Sequence, residues 1–441
     1  MKNSKKWLYA FLLLIVVSII GIFVPGVEFG VKDPNIVSGD VAWMLTSTAL
    51  VLLMTPGLAF FYGGMVDPRN IISTILQSFV AMGIVSMIWV VVGFSLAFGD
   101  SIGPEGFGIV GNPLTFLMFH NVGGNTNPDM SPTIPFALFA LFQLKFAIIT
   151  PALITGSFAG RVRFRSYMIF ISLFTIFIYA PLAHWTWHPN GFLRNMGVLD
   201  FAGGTVVHMS AGFAALAGAM FLGKRTKSRY NEKRSNIPFV LLGAGMLWFG
   251  WFGFNAGSAL EASSTAVLAL LNTNTASAAA MLTWIFLDGA RGHKPSGLGA
   301  AIGLVVGLVA ITPAAGFVTV GASITIGVIA SIVSNYAITL QGRTSLDDTL
   351  DVFPAHGMGG ITGMILTSVF AHEVGLIHGE FRTFFMHLIA LVIVGVFTFG
   401  GSYLLYWITN KFVSLRVSEY SEAKGLDISQ HDESYSFAYK E

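Results

Sequence analysis

The amino-acid sequence predicts an all-α polytopic membrane protein with eleven transmembrane helices, arranged as two inverted groups of five followed by one final helix. Hydrophobic residues make up 54% of the chain and charged residues 10%, whereas soluble domains carry about 25% charged residues. The mean hydropathy is +0.72. The apolar residues fall in stretches of about 20, the length that spans a bilayer as a helix. These observations exclude a soluble enzyme of ordinary composition.

Residues 39–410 form the predicted transmembrane domain, and a further apolar stretch over 7–24 precedes it. The stretch 297–312 is the shortest of the eleven. The predicted helices cover 41–63, 71–98, 134–158, 167–187, 203–223, 237–257, 264–288, 297–312, 315–340, 355–371 and 384–409.

Lysine and arginine in short loops mark the cytoplasmic side of a membrane protein. The connections 160–165, 223–234 and 289–294 are basic, as is 410–416, whereas 99–133 contains neither residue. Basic and non-basic connections alternate, which predicts a multi-pass protein of the cell membrane with a cytoplasmic C-terminus. The net charge of +2 resides in these loops and indicates no nucleic-acid surface.

Residues 1–26 resemble a secretory signal, because lysines precede the apolar run 7–24. No A-x-A cleavage site follows, so cleavage and retention as a twelfth helix are equally compatible with the sequence. The chain contains no cysteine, which excludes disulfides, thiolate metal sites and cysteine nucleophiles.

Two histidines occupy matching places in the two halves, His208 in DFAGGTVVH and His356 in DVFPAH. Asp200 lies eight residues before the first and Asp351 five residues before the second. An inverted repeat brings such residues together near the bilayer midplane, where ionisable groups indicate function. Two neutral imidazoles can share a proton and form a polar track through an apolar pore. The alternatives are core histidines bonded to backbone carbonyls and axial haem ligands.

Aromatic residues form a second cluster, in which Trp251, Phe254 and Ser258 share one helix face by their i, i+3, i+7 spacing. Trp187 lies at a similar predicted depth. Aromatic faces attract small cations, and a serine hydroxyl can accept a hydrogen bond from one. The alternative is an aromatic belt at the membrane interface.

Glycines at four-residue spacing indicate close helix packing rather than a site. They are Gly299, Gly303 and Gly307 in one stretch and Gly253 and Gly257 in another.

Five segments resemble the signatures of the ammonium transporter family (Amt/Mep/Rh), specifically its bacterial and archaeal Amt branch. The segments cover nearly the whole chain in order: GLAFFYGG at 57–64, LDFAGGTVVHMSAG at 199–212, FGWFGFNAGSA at 249–259, LVAITPAAGFV at 308–318 and DVFPAHGMGGI at 351–361. The resemblance implies a homotrimer in the lipid bilayer, in which each eleven-helix subunit has its own pore. It also implies an ammonium and ammonia channel, with methylammonium as an analogue, that is not an enzyme and needs no cofactor.

The same resemblance implies an outer recruitment site and a gate. Trp187 and Ser258 match the outer site, with Phe146 as its floor, and Phe146 and Phe254 match the two stacked rings of the gate. Lys145 departs from the family pattern because that position is usually uncharged. Neighbouring residues on a helix face different directions, so Lys145 is expected to point away from the pore.

Below the gate, the resemblance assigns the twin histidines to His208 and His356 and a pore-lining role to Trp251. Asp200 matches a buried acid that orients the backbone and favours a cation. The family account is that ammonium loses a proton, so that neutral ammonia crosses the apolar pore.

The segment 411–441 is polar and resembles the family's cytoplasmic regulatory tail, with its specific part around Gly425, Leu426 and Asp427. The resemblance implies that this tail packs under a neighbouring subunit and couples the trimer to a PII-type regulatory protein.

Two other functions remain open at this point. One is an ammonium sensor on the same fold. The other is an intramembrane His-dependent metalloprotein, for which H-E-x-x-H is absent and His184, His188 and His293 lie in other parts of the predicted topology.

Overall fold

The structure is a computed structural model that describes residues 2–27, 29–30, 32–226 and 236–435. The bounds of the N-terminal helix α1 are Lys2–Ile22. The bundle that follows consists of α2 (Ser38–Met65), α3 (Pro68–Phe98), α4 (Phe136–Phe158), α5 (Phe164–Trp187), α6 (Gly204–Leu222), α7 (Ile237–Ala259), α8 (Ser264–Ala290), α9 (Gly297–Ile311), α10 (Val320–Gln341), α11 (Phe353–Gly357 continuing as Met358–Phe370) and α12 (Phe381–Phe412).

All eleven predicted spans are therefore helical. Among the described residues, nine helices are long and apolar enough to cross a membrane by length and composition. The other two are α9, with 15 residues, and α11, which begins as a π-helix. The chain is a multi-pass membrane protein.

The smaller elements lie in the connections. Strands β1 (Ser101–Ile102) and β2 (Val110–Gly111) form an antiparallel hairpin. Short helices cover Leu117–Phe119, Phe192–Asn195 and Leu376–His378, and the C-terminal segment contains Glu419–Lys424 and the π-turn Asp427–His431.

The connections separate onto two ends of the bundle. On one, the vestibule face, 99–135 meets 188–203, where the Gly108 amide donates to the Asn190 carbonyl at 2.8 Å. On the other, the tail face, the buried Arg161 guanidinium donates to the carbonyls of Gly223 and Asp347 at 2.5 and 2.7 Å. The basic connections that the structure describes lie on the tail face, as their alternation predicts. Residues 227–235 of the predicted basic loop lie outside the described residues.

One predicted boundary is wrong by five residues. The apolar run suggests a helix from 315, but α10 begins at Val320, where the Thr319 hydroxyl accepts the Ala322 amide as a cap. A Cβ on Gly316 would lie 2.2 Å from the ring of Phe201. Residues 315–319 therefore form a packed loop on the vestibule face, which hydropathy does not distinguish from a helix.

The glycine stripes pack helices closely, as predicted. A Cβ on Gly303 or Gly307 would lie 2.6 Å from the side chain of Trp284 or Ala280 on α8. The crossing that matters for the site is between α6 and α11, where a Cβ on Gly212 would lie 2.3 Å from the Cα atom of Gly357. No larger residue fits at this contact without moving the two helices apart.

The C-terminal segment packs against its own chain. The buried Asp427 carboxylate accepts the amides of Ile72 and Ser73, at the start of α3, at 3.1 and 2.7 Å. Leu426 donates its amide to the Asn70 side chain at 2.8 Å. Burial raises the pKa of the Asp427 carboxyl. Residues 436–441 of the predicted tail lie outside the described residues.

Candidate functional site

A cavity of about 510 Å³ opens on the vestibule face between α4, α5 and α7. Its lining includes Trp187, Ser258 and Phe146, the three residues predicted as an outer site, together with Gln143 and Asp200. Residues that are far apart in the sequence thus meet at one aromatic and polar surface.

The polar atoms of this surface are held by the backbone. The Trp187 indole donates to the carbonyl of Asp200 at 3.1 Å, which fixes the ring at the cavity wall. The Ser258 hydroxyl donates to the carbonyl of Phe254 at 2.8 Å. Because that bond uses the proton of the hydroxyl, the serine oxygen is left as an acceptor for a ligand that donates.

Two stacked phenylalanines close the floor of the cavity. The ring centroids of Phe146 and Phe254 are 4.1 Å apart with planes inclined by 28°, and both side chains are buried. Trp187 meets the Phe146 ring edge to face at 5.9 Å. The predicted pairing of Phe146 with Phe254 is present, and the two rings block the path between the vestibule and the interior.

The two histidines lie beneath this stack. His208 is 1% and His356 3% exposed, and their Nδ1 atoms are 3.5 Å apart. The His208 ring lies 6.1 Å from Phe254 and 5.4 Å from Trp251, between centroids. The inverted repeat predicts this meeting of the two imidazoles, and it is observed.

Thr312, at the end of α9, sets the proton positions of this pair. Its hydroxyl donates to the Leu308 carbonyl at 2.8 Å, so its oxygen accepts from Trp251 Nε1 at 2.9 Å and from His208 Nε2 at 3.2 Å. With the proton on Nε2, His208 presents the lone pair of Nδ1 to His356. Sequence reasoning missed Thr312, although it lies within the signature segment 308–318.

The space around the histidines is narrow and apolar. It measures about 10 Å³ and is lined by the pair together with aliphatic and aromatic side chains such as Leu58, Val207 and Leu247. A volume of this order holds about one water-sized molecule. A hydrated ion does not fit.

Asp200 caps the helix that carries His208. Its carboxylate accepts the amides of Gly203, Gly204 and Thr205 at 2.8, 2.6 and 2.8 Å. A carboxylate at a helix N-terminus is stabilised by these amides and by the helix dipole. The acid therefore orients the start of α6, while its side chain also borders the vestibule.

The second half uses Asp348 for the same purpose, which corrects the pairing of Asp200 with Asp351. Asp348 accepts the Phe353 amide at 2.8 Å, as Asp200 accepts that of Thr205, five residues on in both cases. Each of these acids lies eight residues before its histidine. Asp351 is the acid inside the motif DVFPAH and the nearer one to His356. A spacing of eight residues, equal to that between Asp200 and His208, predicts Asp348 instead.

Other predicted positions lie away from the pore. Lys145 is half-buried and does not line the vestibule cavity. His184 and His188 stack at 4.3 Å on the vestibule face, where the Ser101 hydroxyl contacts His184 Nε2 at 2.7 Å and His188 Nδ1 at 3.2 Å. These two histidines tie the β1–β2 hairpin to α5.

Comparison with known proteins places this geometry in a family. The sequence model of the Ammonium Transporter Family matches residues 42–436. The chain belongs to the ammonium transporter family. A relative from Methanothermobacter thermautotrophicus, named a putative ammonium transporter, is 45% identical over 90% of this chain and 98% of its own length.

Solved structures of the ammonium transporter family share the fold. The crystal structure of Saccharomyces cerevisiae Mep2 matches with a TM-score of 0.81 and 32% identity, covering 87% of this chain and 88% of that one. A structure named Sensor Amt Protein matches with a TM-score of 0.81 and 29% identity, covering 89% and 98%. Mep2 and a protein named as a sensor thus have the same architecture.

Proposed function

We propose that this chain transports ammonium across the cell membrane by recruiting the cation in the vestibule and conducting ammonia past the two histidines. The observation that carries the proposal is the apolar space of about 10 Å³ around His208 and His356, closed on one side by stacked phenylalanine rings. The names of the relatives support the same substrate.

Recruitment takes place at the ring faces of Trp187 and Phe146 and at the Ser258 oxygen. An aromatic face stabilises a small cation by about 0.5–2 kcal/mol, depending on its desolvation. The serine oxygen accepts one N–H of ammonium and replaces part of its water shell. The vestibule of about 510 Å³ is large enough for the ion to arrive hydrated.

Conduction requires loss of the proton. Moving a monovalent cation without its water into an apolar space costs far more free energy than moving a neutral molecule. Ammonia is neutral and of about the size of water. The His356 Nδ1–H donates to the His208 Nδ1 lone pair, so the Nε2 lone pair of His356 remains as an acceptor. Beneath the phenylalanines, ammonia donates to this Nε2 atom as it passes.

We further infer that the vestibule face is external and the tail face cytoplasmic, with 39–410 as the transmembrane domain of a homotrimer. Segment 1–26 acts as a signal-like segment or a twelfth helix. Segment 411–441 acts as a regulatory tail that receives a PII-type protein, with Gly425, Leu426 and Asp427 in its docked part. No catalytic reaction or cofactor enters this proposal.

The test is flux of methylammonium into proteoliposomes that contain the purified protein, measured with and without a membrane potential. Uptake greater than that of protein-free vesicles supports transport. Its dependence on the membrane potential shows whether the proton crosses the membrane together with the neutral amine. His208→Ala should abolish uptake or open the pore to potassium. His188→Ala, outside the pore, should leave the selectivity unchanged.

Absence of flux in a folded wild-type protein that still binds ammonium would favour the sensor function. Wild-type rate and selectivity in His208→Ala would remove the histidines from the mechanism.

A further inference from the structure

His387 is a buried histidine that lies outside the proposed conduction path. It is in the second turn of α12, the helix that follows the two groups of five, and its side chain is fully buried. It lines neither the vestibule cavity nor the space around the two pore histidines. An ionisable side chain within a membrane-spanning helix indicates a function. The His387 imidazole therefore acts through the groups that it contacts.

Both ring nitrogens of His387 have a backbone partner. Nδ1 lies 2.8 Å from the Met364 carbonyl, in the interior of α11, and Nε2 lies 2.9 Å from the Leu199 amide. A carbonyl only accepts and an amide N–H only donates, so Nδ1 carries the proton and Nε2 presents its lone pair. The neutral imidazole thus joins a helix interior to the segment that contains Leu199.

This segment, 198–201, has no regular secondary structure and forms part of the vestibule wall. Its backbone is held by other parts of the chain. Phe201 donates its amide to the Pro313 carbonyl at 3.1 Å, and Leu199 donates to the His387 ring. Because helix and sheet bonds do not fix a segment of this kind, its position depends on such contacts.

The residue after Leu199 carries the acceptor that orients Trp187. The Trp187 indole donates to the Asp200 carbonyl at 3.1 Å. Consecutive Cα atoms are about 3.8 Å apart, so a shift of the Leu199 backbone also moves this carbonyl. The Trp187 ring then moves with its acceptor. The attraction of a cation to an aromatic face depends on where the ring lies relative to the cation.

We propose that His387 is a positioning residue of the outer recruitment site. Its imidazole holds the Leu199–Asp200 segment, which in turn holds the Trp187 ring at the cavity wall. Because His387 touches no substrate, it determines binding in the vestibule and not the rate of passage between His208 and His356. The inference rests on the proposed transport function and adds to it a residue of the final helix on which outer binding depends.

The test compares three substitutions that separate the two hydrogen bonds of the ring. In His387→Gln the side-chain amide reaches the place of Nε2, so it can accept from Leu199 while the bond to Met364 is lost. In His387→Asn the shorter amide reaches the place of Nδ1, so it keeps the bond to Met364 and leaves the Leu199 amide without an acceptor. His387→Leu makes neither bond.

The measurement is the initial rate of labelled methylammonium uptake as its external concentration is raised. It uses proteoliposomes whose vestibule face is shown by labelling to face outward, and the thermal unfolding midpoint is recorded for each variant. Ser402→Ala is the control, because Ser402 is buried in the same helix and its hydroxyl has no hydrogen-bond partner among the described residues.

We expect the half-saturation concentration to rise about fivefold in His387→Asn and in His387→Leu, because part of the cation–π attraction is lost. The maximal rate should stay within about twofold of wild type, since binding changes and conduction does not. His387→Gln and Ser402→Ala should keep the wild-type half-saturation.

Wild-type half-saturation in His387→Asn would overturn the inference, whatever happens to the unfolding midpoint, because His387 would then have only a structural role. An equal rise in His387→Gln and His387→Asn would overturn it as well, since the bond to Leu199 would not be the cause. If His387→Leu does not fold, the comparison of His387→Gln with His387→Asn still decides. Wild-type protein without any uptake would instead overturn the proposed function.

Discussion

Single residues determine the polarity of the pore. Thr312 satisfies two buried N–H groups, on Trp251 and His208, with one hydroxyl oxygen. The same contact leaves the His208 lone pair directed at His356. A substitution that keeps the shape of Thr312 but removes its oxygen therefore separates packing from hydrogen bonding.

We predict that Thr312→Val lowers methylammonium transport at least tenfold. Leaving a buried donor without an acceptor costs about 1–3 kcal/mol. Here the N–H groups of Trp251 and His208 both lose the Thr312 oxygen as their acceptor. His208 then no longer has a partner that keeps the proton on Nε2. The measurement is the initial uptake rate in proteoliposomes, together with the thermal unfolding midpoint.

Thr398→Val provides the matched control. Thr398 is fully buried in α12 and its hydroxyl has no hydrogen-bond partner among the described residues. This variant should transport like wild type. Equal effects of the two substitutions would show that Thr312 acts only through packing.

At the scale of elements, the β1–β2 hairpin depends on a neutral imidazole. His188 follows α5, accepts the Asn190 amide at 3.1 Å and contacts Ser101. Burial, with His184 and Arg194 nearby, lowers the pKa of His188 to about 4 from its ordinary 6.5. His184 is stacked on the same ring.

We predict that the hairpin loosens in acid. The undocked hairpin takes up a proton near pH 6.5 and the docked one near pH 4, so docking is fully stable above 6.5 and weakens as the pH falls between these values. The loss is about 1.4 kcal/mol for each pH unit. Hydrogen exchange of the amides in 101–111, corrected for intrinsic rates, should speed up from pH 7 to pH 5.

In His188→Gln the exchange of these amides should depend less on pH, because glutamine does not titrate and His184 is left as the imidazole that contacts Ser101. A wild-type hairpin with the same protection at both pH values would contradict the role of His188.

At the scale of the whole molecule, successive helices cross in opposite directions, so their connections lie on two faces. Because the chain has no cysteine, a single introduced cysteine can be labelled to show which face is external. We predict that Glu105→Cys reacts with an impermeant thiol reagent from outside intact cells and that Ser345→Cys reacts only after permeabilisation. Both side chains are exposed, on the vestibule face and the tail face respectively. Labelling of Ser345→Cys from outside would invert the proposed orientation.

The docked tail joins the C-terminal segment to the start of α3 at the tail face. We predict that Asp427→Ala releases residues 425–435, because the Ile72 and Ser73 amides lose their acceptor. Limited proteolysis of the tail should become faster, and transport or its response to a PII-type protein should change. The fold of the bundle should persist, since the contacts involve only the first turn of α3.

Glu419→Ala, an exposed acid in the same segment, is the control and should behave like wild type. If Asp427→Ala keeps wild-type proteolysis and transport, the docked tail has no regulatory effect.

The sequence by itself determined the eleven helices, the alternation of the connections and the meeting of His208 with His356. Hydropathy sets the helices because a bilayer demands about 20 apolar residues for each span. The inverted repeat then relates the two histidines by symmetry. Helix spacing predicts that Phe254 and Ser258 share a face, and predicted depth adds Trp187. Phe146 comes only from the resemblance to a family. The structure brings the four together.

The tertiary structure alone decided the hydrogen bonds between distant segments. The Thr312 contact to His208 joins residues 104 positions apart, and no local pattern predicts such a bond. The start of α10 at Val320 depends on how Gly316 packs against Phe201. The role of Asp348 depends on which of two nearby carboxylates reaches the helix N-terminus, because chain spacing constrains position but only packing directs a side chain.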